Sequence, residues 1–215
     1  MAEDRRPYRR ESQESRREAL ITAALELMAE GGAQAATVRA IAERAGITAG
    51  LIRHYFQSKD DLTRAAYAAL MDRMAEQSLR ATQSAADDPA AQLAAFVAAS
   101  LRAPVMTGDR VRLWAGFLHL VQRDPMMRDV HEATYLGYRN RLQVLIQALP
   151  GKSDPEQARA LSIACNAVID GLWLEGGTLP DGFAAGELEQ IGLSAIAAIL
   201  DTELPRPVFN ISEVL

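Results

Sequence analysis

The sequence predicts an all-α protein of about nine helices, with three short helices first and a larger helical remainder after them. Three observations carry this expectation. Apolar residues recur at three- and four-residue spacing through most of the chain. Valine-rich runs alternating at period two, the mark of a half-buried strand, are absent. The breaks between periodic stretches hold the Pro and Gly that loops need, as in "SAADDPAA", "RAPVMTGD", "LPGKSDPE" and "GGTLPDGFAAG".

Taken in order, Leu20, Ile21, Ala24, Leu25 and Met28 make one apolar face of a first helix, which Gly31 and Gly32 end. Thr37 caps a second helix carrying Val38, Ile41, Ala42 and Ala45, stopped by Gly46. Thr48 caps a third. Ser58 caps a fourth, with Asp61 at its third position as the shorter form of a capping box, and the helix runs from Leu62 to about Gln83. Five further helical patterns cover residues 89–102, 108–123, 126–149, 155–176 and 186–202. The tail "LPRPVFNISEVL" contains two prolines and reads as extended. No internal repeat or low-complexity segment is present.

The chain has 215 residues, 49% of them hydrophobic, enough for one or two ordinary cores. No run reaches the roughly 18 apolar residues of a membrane helix. The start, "MAEDRRPYRRE", lacks the apolar centre of a signal peptide. The expectation is a soluble, cytoplasmic protein with no membrane partner. One cysteine, Cys165, excludes an intramolecular disulfide, and the three histidines lack metal-site spacing. No metal, cofactor or catalytic residue is therefore assigned. No nucleophile–base pair is evident, so the expectation is that this is not an enzyme, a helical enzyme being the remote alternative.

Net charge is −5, but its distribution matters more. Residues 1–64 hold 11 Arg/Lys against 10 Asp/Glu, and residues 65–215 hold 12 against 18. Arg5, Arg6, Arg9, Arg10, Arg16 and Arg17 crowd ahead of the first apolar face. Two readings of this basic arm stay open, a solvated tail or a contact to phosphates or a minor groove.

Gly50 is the informative residue. On a helix over 49–57, Ile52 and Phe56 share a face with Ala49, and Tyr55 sits at its edge. Gly50, Arg53, His54 and Gln57 form the opposite stripe, at i, i+3, i+4 and i+7. A glycine inside a helix costs about 1 kcal/mol relative to alanine. Two short helices joined at Gly46 make a helix-turn-helix, whose second helix enters a major groove. There a missing side chain allows close approach of backbone to DNA, and Arg53 reaches a guanine edge or a phosphate. A plain helical hairpin is the competing explanation for the geometry alone.

From "ALELMAEGG" through "ATVRAIAERAGITAGLIRHYFQSKDDL", about 45 residues, the chain resembles the N-terminal domain of the TetR family of transcriptional regulators. The resemblance implies a DNA-binding domain over 1–60 with a basic N-terminal arm, and a ligand-binding and dimerisation domain over 61–215. It implies a homodimeric repressor that binds a double-stranded DNA operator and a small-molecule effector. The family's DNA contacts fall on Thr37 and Arg39 of the second helix. On and around the third they fall on Thr48, Ala49, Gly50, Leu51, Arg53, His54 and Tyr55, with Lys59 following. Where the common pattern is Tyr-Tyr-His-Phe, this chain has Arg53-His54-Tyr55-Phe56, so Arg53 replaces an aromatic and the bases preferred are open.

"RLWAGFLHLVQRDPMM" (112–127) and "AVIDGLWLEGG" (167–177) resemble the BetI-type branch, regulators of choline-to-betaine metabolism. That implies an effector such as choline; a hydrophobic or anionic effector is the alternative. Bottom-up, Asn166, Asp170 and Trp173 make a polar-aromatic stripe at i, i+4 and i+7 on an otherwise apolar helix. An aromatic wall beside a carboxylate suits a quaternary ammonium group. The ligand-binding candidates are Trp114, Phe117, Asp170, Trp173 and Glu175. Core or dimer-seam packing of the tryptophans, and an arginine partner for Asp170 across a dimer, are the open alternatives. The helices near 155–176 and 186–202 are the expected seam, on apolar content that includes Ile191, Leu193, Ile196, Ile199 and Leu200.

Overall fold

The computed structural model describes residues 13–85 and 87–207. Nine α-helices and one short 3₁₀ turn appear among the described residues, with no strand. The chain divides into two compact units whose boundary falls between Ala66 and Tyr67.

The first unit holds α1 (Gln13–Gly31), α2 (Val38–Arg44), α3 (Ala49–Tyr55) and the start of α4 (Lys59–Gln83). Leu20, Ile21, Ala24, Ile41, Ile52, Phe56 and Leu62 are buried, which is the apolar periodicity turned inward. The Thr37 hydroxyl caps α2 by accepting from the Ala40 amide at 3.1 Å. The far end of α2 is a Schellman stop. Gly46 has φ +68°, its amide donates to Glu43, and the Ile47 amide reaches back to the Ala42 carbonyl. Only glycine takes that φ without strain.

Thr48 occupies the N-cap position of α3, but its side chain makes no capping bond. The reason is local: the Leu51 amide is already taken by the Thr48 carbonyl at 2.9 Å. At α4 the Ser58 hydroxyl accepts from the Asp61 amide, and the Asp61 carboxylate accepts from the Gln57 amide. This box starts α4 at Lys59, three residues earlier than Leu62. Arg44 ties α2 to α1 through Glu30, held at 2.9 and 2.8 Å, and Glu26 at 3.2 Å.

The second unit holds the rest of α4, then α5 (Pro89–Ser100), α6 (Gly108–Val121), α7 (Pro125–Gln147), α8 (Pro155–Thr178), a 3₁₀ turn (Pro180–Gly182) and α9 (Glu187–Leu200). Asp88, Asp124 and Asp154 cap α5, α7 and α8, each followed by a proline whose missing N–H costs nothing there. From Leu93 to Ser100 every residue of α5 is buried, as its all-round apolar sequence requires. It packs against α7, α8 and α9. Arg5, Arg6, Arg9 and Arg10 of the basic arm and residues 208–215 of the tail lie outside the described residues.

Candidate DNA-facing helix and ligand cavity

In the first unit, α3 buries Ile52 and half-buries Leu51 and Tyr55, leaving Ala49, Gly50, Arg53 and His54 exposed. Thr37, Arg39, Thr48 and Lys59 are exposed as well. A Cβ built on Gly50 would meet nothing within 4 Å. Neither packing nor backbone conformation within the protomer requires glycine here. What its bareness offers is therefore turned outward. His54 and Tyr55 meet edge to face at 5.3 Å. Arg39, Arg53 and Lys59 form no ion pair among the described residues, whereas Arg44 is engaged by Glu26 and Glu30. A short helix with a bare, cationic outer stripe can enter a major groove, with guanidinium and ammonium groups available to bases and phosphates.

The second unit contains a cavity with about 600 Å³ of atom-free space, counting its open mouth, lined from α4, α5, α6, α7 and α8. Trp114, Trp173, Tyr135 and Tyr138 supply four aromatic faces; Met71, Met74, Val105 and Ile169 add apolar surface. Trp114 and Trp173 meet edge to face, with centroids 5.6 Å apart and planes at 81°. The Trp173 indole N–H donates to the Val105 carbonyl at 3.1 Å, which fixes that ring.

Asp170 is the charged lining residue. Tyr135 donates its hydroxyl proton to Asp170 Oδ2 at 2.6 Å. The Asn166 amide donates to the same oxygen at 2.8 Å and to the Tyr135 hydroxyl at 2.7 Å. Asp170 forms no ion pair among the described residues, so an arginine partner within the protomer is absent there. Burial pushes its carboxyl above the usual value, opposed by the bonds from Tyr135 and Asn166 and by His131. Tyr135 is pushed up to about 12, by burial first and then by Asp170. Behind Tyr135 stands His131, stacked at 5.3 Å; burial pulls its imidazole below the ordinary value.

The cavity thus brings together Trp114, Asp170 and Trp173. Phe117 is buried against Tyr67 at 4.8 Å, and Glu175 is exposed; neither lines the cavity. Tyr135, Tyr138, Ser100 and the methionines of α4 are lining residues that sequence reasoning does not single out. The one usable signal is the i, i+3 spacing of Tyr135 and Tyr138 in an otherwise mixed helix. In α9, Leu193, Ile196 and Leu200 are buried within the protomer and are not free for a seam. Ile163 and Leu174 of α8 and Ile191 of α9 are the large apolar residues left exposed on these two helices.

Residues 20–66 match the family of bacterial regulatory proteins called tetR, and residues 89–201 match the C-terminal family of BetI-type transcriptional repressors. The HTH-type transcriptional regulator BetI of Burkholderia thailandensis is 33% identical over 164 residues, which span 76% of this chain and 82% of that one. A transcriptional regulator of Pseudomonas aeruginosa PAO1, known from its crystal structure, is 30% identical with a TM-score of 0.77, covering 89% of this chain and 93% of that one. A regulator of Saccharomonospora viridis crystallised with choline shares the fold at 21% identity and a TM-score of 0.70, covering 86% and 96%.

Proposed function

The chain belongs to the TetR family, as a transcriptional repressor of the BetI type, and from that premise we propose that a small quaternary ammonium cation is its effector. The observation that carries this is Asp170, a carboxylate on an aromatic-walled cavity with no cationic partner among the described residues. Asp170 is half-buried and hydrogen-bonded but has no opposite charge beside it, so a ligand that supplies that charge is favoured there. Trp114, Trp173, Tyr135 and Tyr138 offer ring faces to a methylated ammonium group, each contributing about 0.5–2 kcal/mol once water is displaced. An anionic effector would meet Asp170 unfavourably. The choline held by the Saccharomonospora viridis regulator supports the capacity of this scaffold for such a cation.

The operator side rests on α2 and α3, with Thr37 and Arg39 at the first, Thr48, Ala49, Gly50, Leu51, Arg53, His54 and Tyr55 on the second, and Lys59 beyond. One such helix reads few bases, so two copies of the chain act together, their recognition helices about 34–36 Å apart in the bound form. α8 and α9 form the seam through Ile163, Leu174 and Ile191.

Calorimetric titration with choline and with its neutral tert-butyl isostere, 3,3-dimethylbutanol, tests the effector class. Choline should bind and the isostere should bind much more weakly, and choline alone should release the protein from its operator. Equal binding of the two would replace the cation with an apolar effector filling the same cavity.

A further inference from the structure

Asp170 is the cavity end of a chain of contacts that leads out of the pocket. Tyr135 donates to it at 2.6 Å, His131 stacks on Tyr135 at 5.3 Å, and His131 stacks again on Tyr67 at 6.0 Å with planes 18° apart. The Tyr67 hydroxyl and His131 Nδ1 lie 2.6 Å apart. Tyr67 is fully buried and its hydroxyl has no other partner among the described residues, so its proton goes to His131 Nδ1. That requires a neutral imidazole protonated on Nε2, which burial of the ring favours. Tyr67 belongs to α4, the helix that begins at Lys59 and runs through both compact units.

The geometry points to Tyr135, His131 and Tyr67 as positioning residues that report the charge state of Asp170 to α4. This rests on the ammonium reading of the cavity and names how occupancy is passed on. The physical step is a change in one hydrogen bond. While Asp170 is an uncompensated anion, the Tyr135 bond is charge-assisted and roughly twice as strong as a neutral one. A bound cation competes for the same charge and weakens that bond. Tyr135 then relaxes, and with it the stack that holds the Tyr67–His131 pair. Two arrangements of a packed contact chain, biased from one end, are what coupling between sites requires. No proton leaves the chain; His131, Tyr135, Tyr138 and Asp170 titrate around the pocket end, and the Arg139 guanidinium also acts on Tyr135.

A double-mutant cycle tests the relay without any ligand. Asp170→Asn mimics neutralisation by the effector, and Tyr67→Phe cuts the far hydrogen bond while keeping the ring. The full chain, the two single variants and the double variant are titrated against a labelled duplex selected from a random pool by the wild-type chain. Asp170→Asn should lower duplex affinity about fivefold or more when Tyr67 is present. In the Tyr67→Phe background the same change should have less than about a twofold effect. Equal effects in both backgrounds, or no effect of Asp170→Asn in either, would overturn the relay. A simple loss of stability moves the melting temperature and leaves the cycle additive. If Tyr67→Phe does not fold, Tyr135→Phe breaks the adjacent link and carries the same cycle. Choline titration of the wild-type chain is read separately: failure to bind overturns the ammonium effector and does not alter what the cycle measures.

Discussion

Gly50 sits in an exposed helix position with open space where a side chain would go. Gly50→Ala should therefore stabilise the fold by up to about 1 kcal/mol, because alanine is the better helix former. The same methyl would stand between the backbone and DNA, so operator affinity should fall. Thermal melting and operator titration check the two halves; a more stable variant that binds DNA as before would remove Gly50 from the interface. Asp170 is the counterpart in the second unit. Its folded value is raised, so its contribution to stability is best at low pH and is lost as pH rises through that value. His131 works in the opposite sense: its folded value is lowered, so stability is lost as pH falls below the ordinary histidine value of about 6.5. Asp170→Asn should raise the melting temperature at pH 7 by about 2–4 °C, with a smaller gain at pH 4, and should abolish the response to choline.

At the scale of the element, the two ends of the recognition segment are expected to fail differently. Lys59, at the first position of α4, should act on phosphate: Lys59→Ala weakens all duplexes and lowers the salt slope by about one unit. Arg53, on the outward stripe of α3, should cost about 1–3 kcal/mol and change operator preference if it meets a base edge. Equal losses on operator and random DNA for Arg53→Ala would leave it a phosphate contact. Helix ends were legible because they are written in local chemistry. Asp-Pro opens α5, α7 and α8, and Gly46 closes α2, each through bonds between near neighbours in the chain. Thr48 shows the limit, since the carbonyl of the same residue outcompetes its hydroxyl for the Leu51 amide. The cavity was only partly legible. Asn166, Asp170 and Trp173 share one face of one helix and could be read together. Tyr135 and Tyr138 meet that face because α7 packs on α8, and their i, i+3 spacing puts them on one side of α7 without saying which helix that side meets. Phe117, a ligand candidate by sequence, is instead packed in the core against Tyr67.

For the whole molecule, the exposed residues decide where a second copy could sit. Ile163, Leu174 and Ile191 are 39%, 44% and 43% exposed, on helices whose other large apolar residues are mostly buried within the protomer. Leu174→Asp with Ile191→Asp should yield a monomer by sedimentation at micromolar concentration, with little loss of helix content and a large loss of operator affinity. A variant that remained dimeric would move the seam elsewhere. The placement of the tryptophans has a separate, practical consequence. The chain has two, and both line the same cavity with their planes nearly perpendicular. Excited at the red edge of the indole band, beyond tyrosine and nucleic-acid absorption, all the protein's emission comes from that one spot. Two indoles at 5.6 Å also couple electronically, so their near-ultraviolet dichroism reports their mutual angle. The unlabelled repressor therefore carries its own optical gauge of pocket occupancy, usable while it sits on its operator.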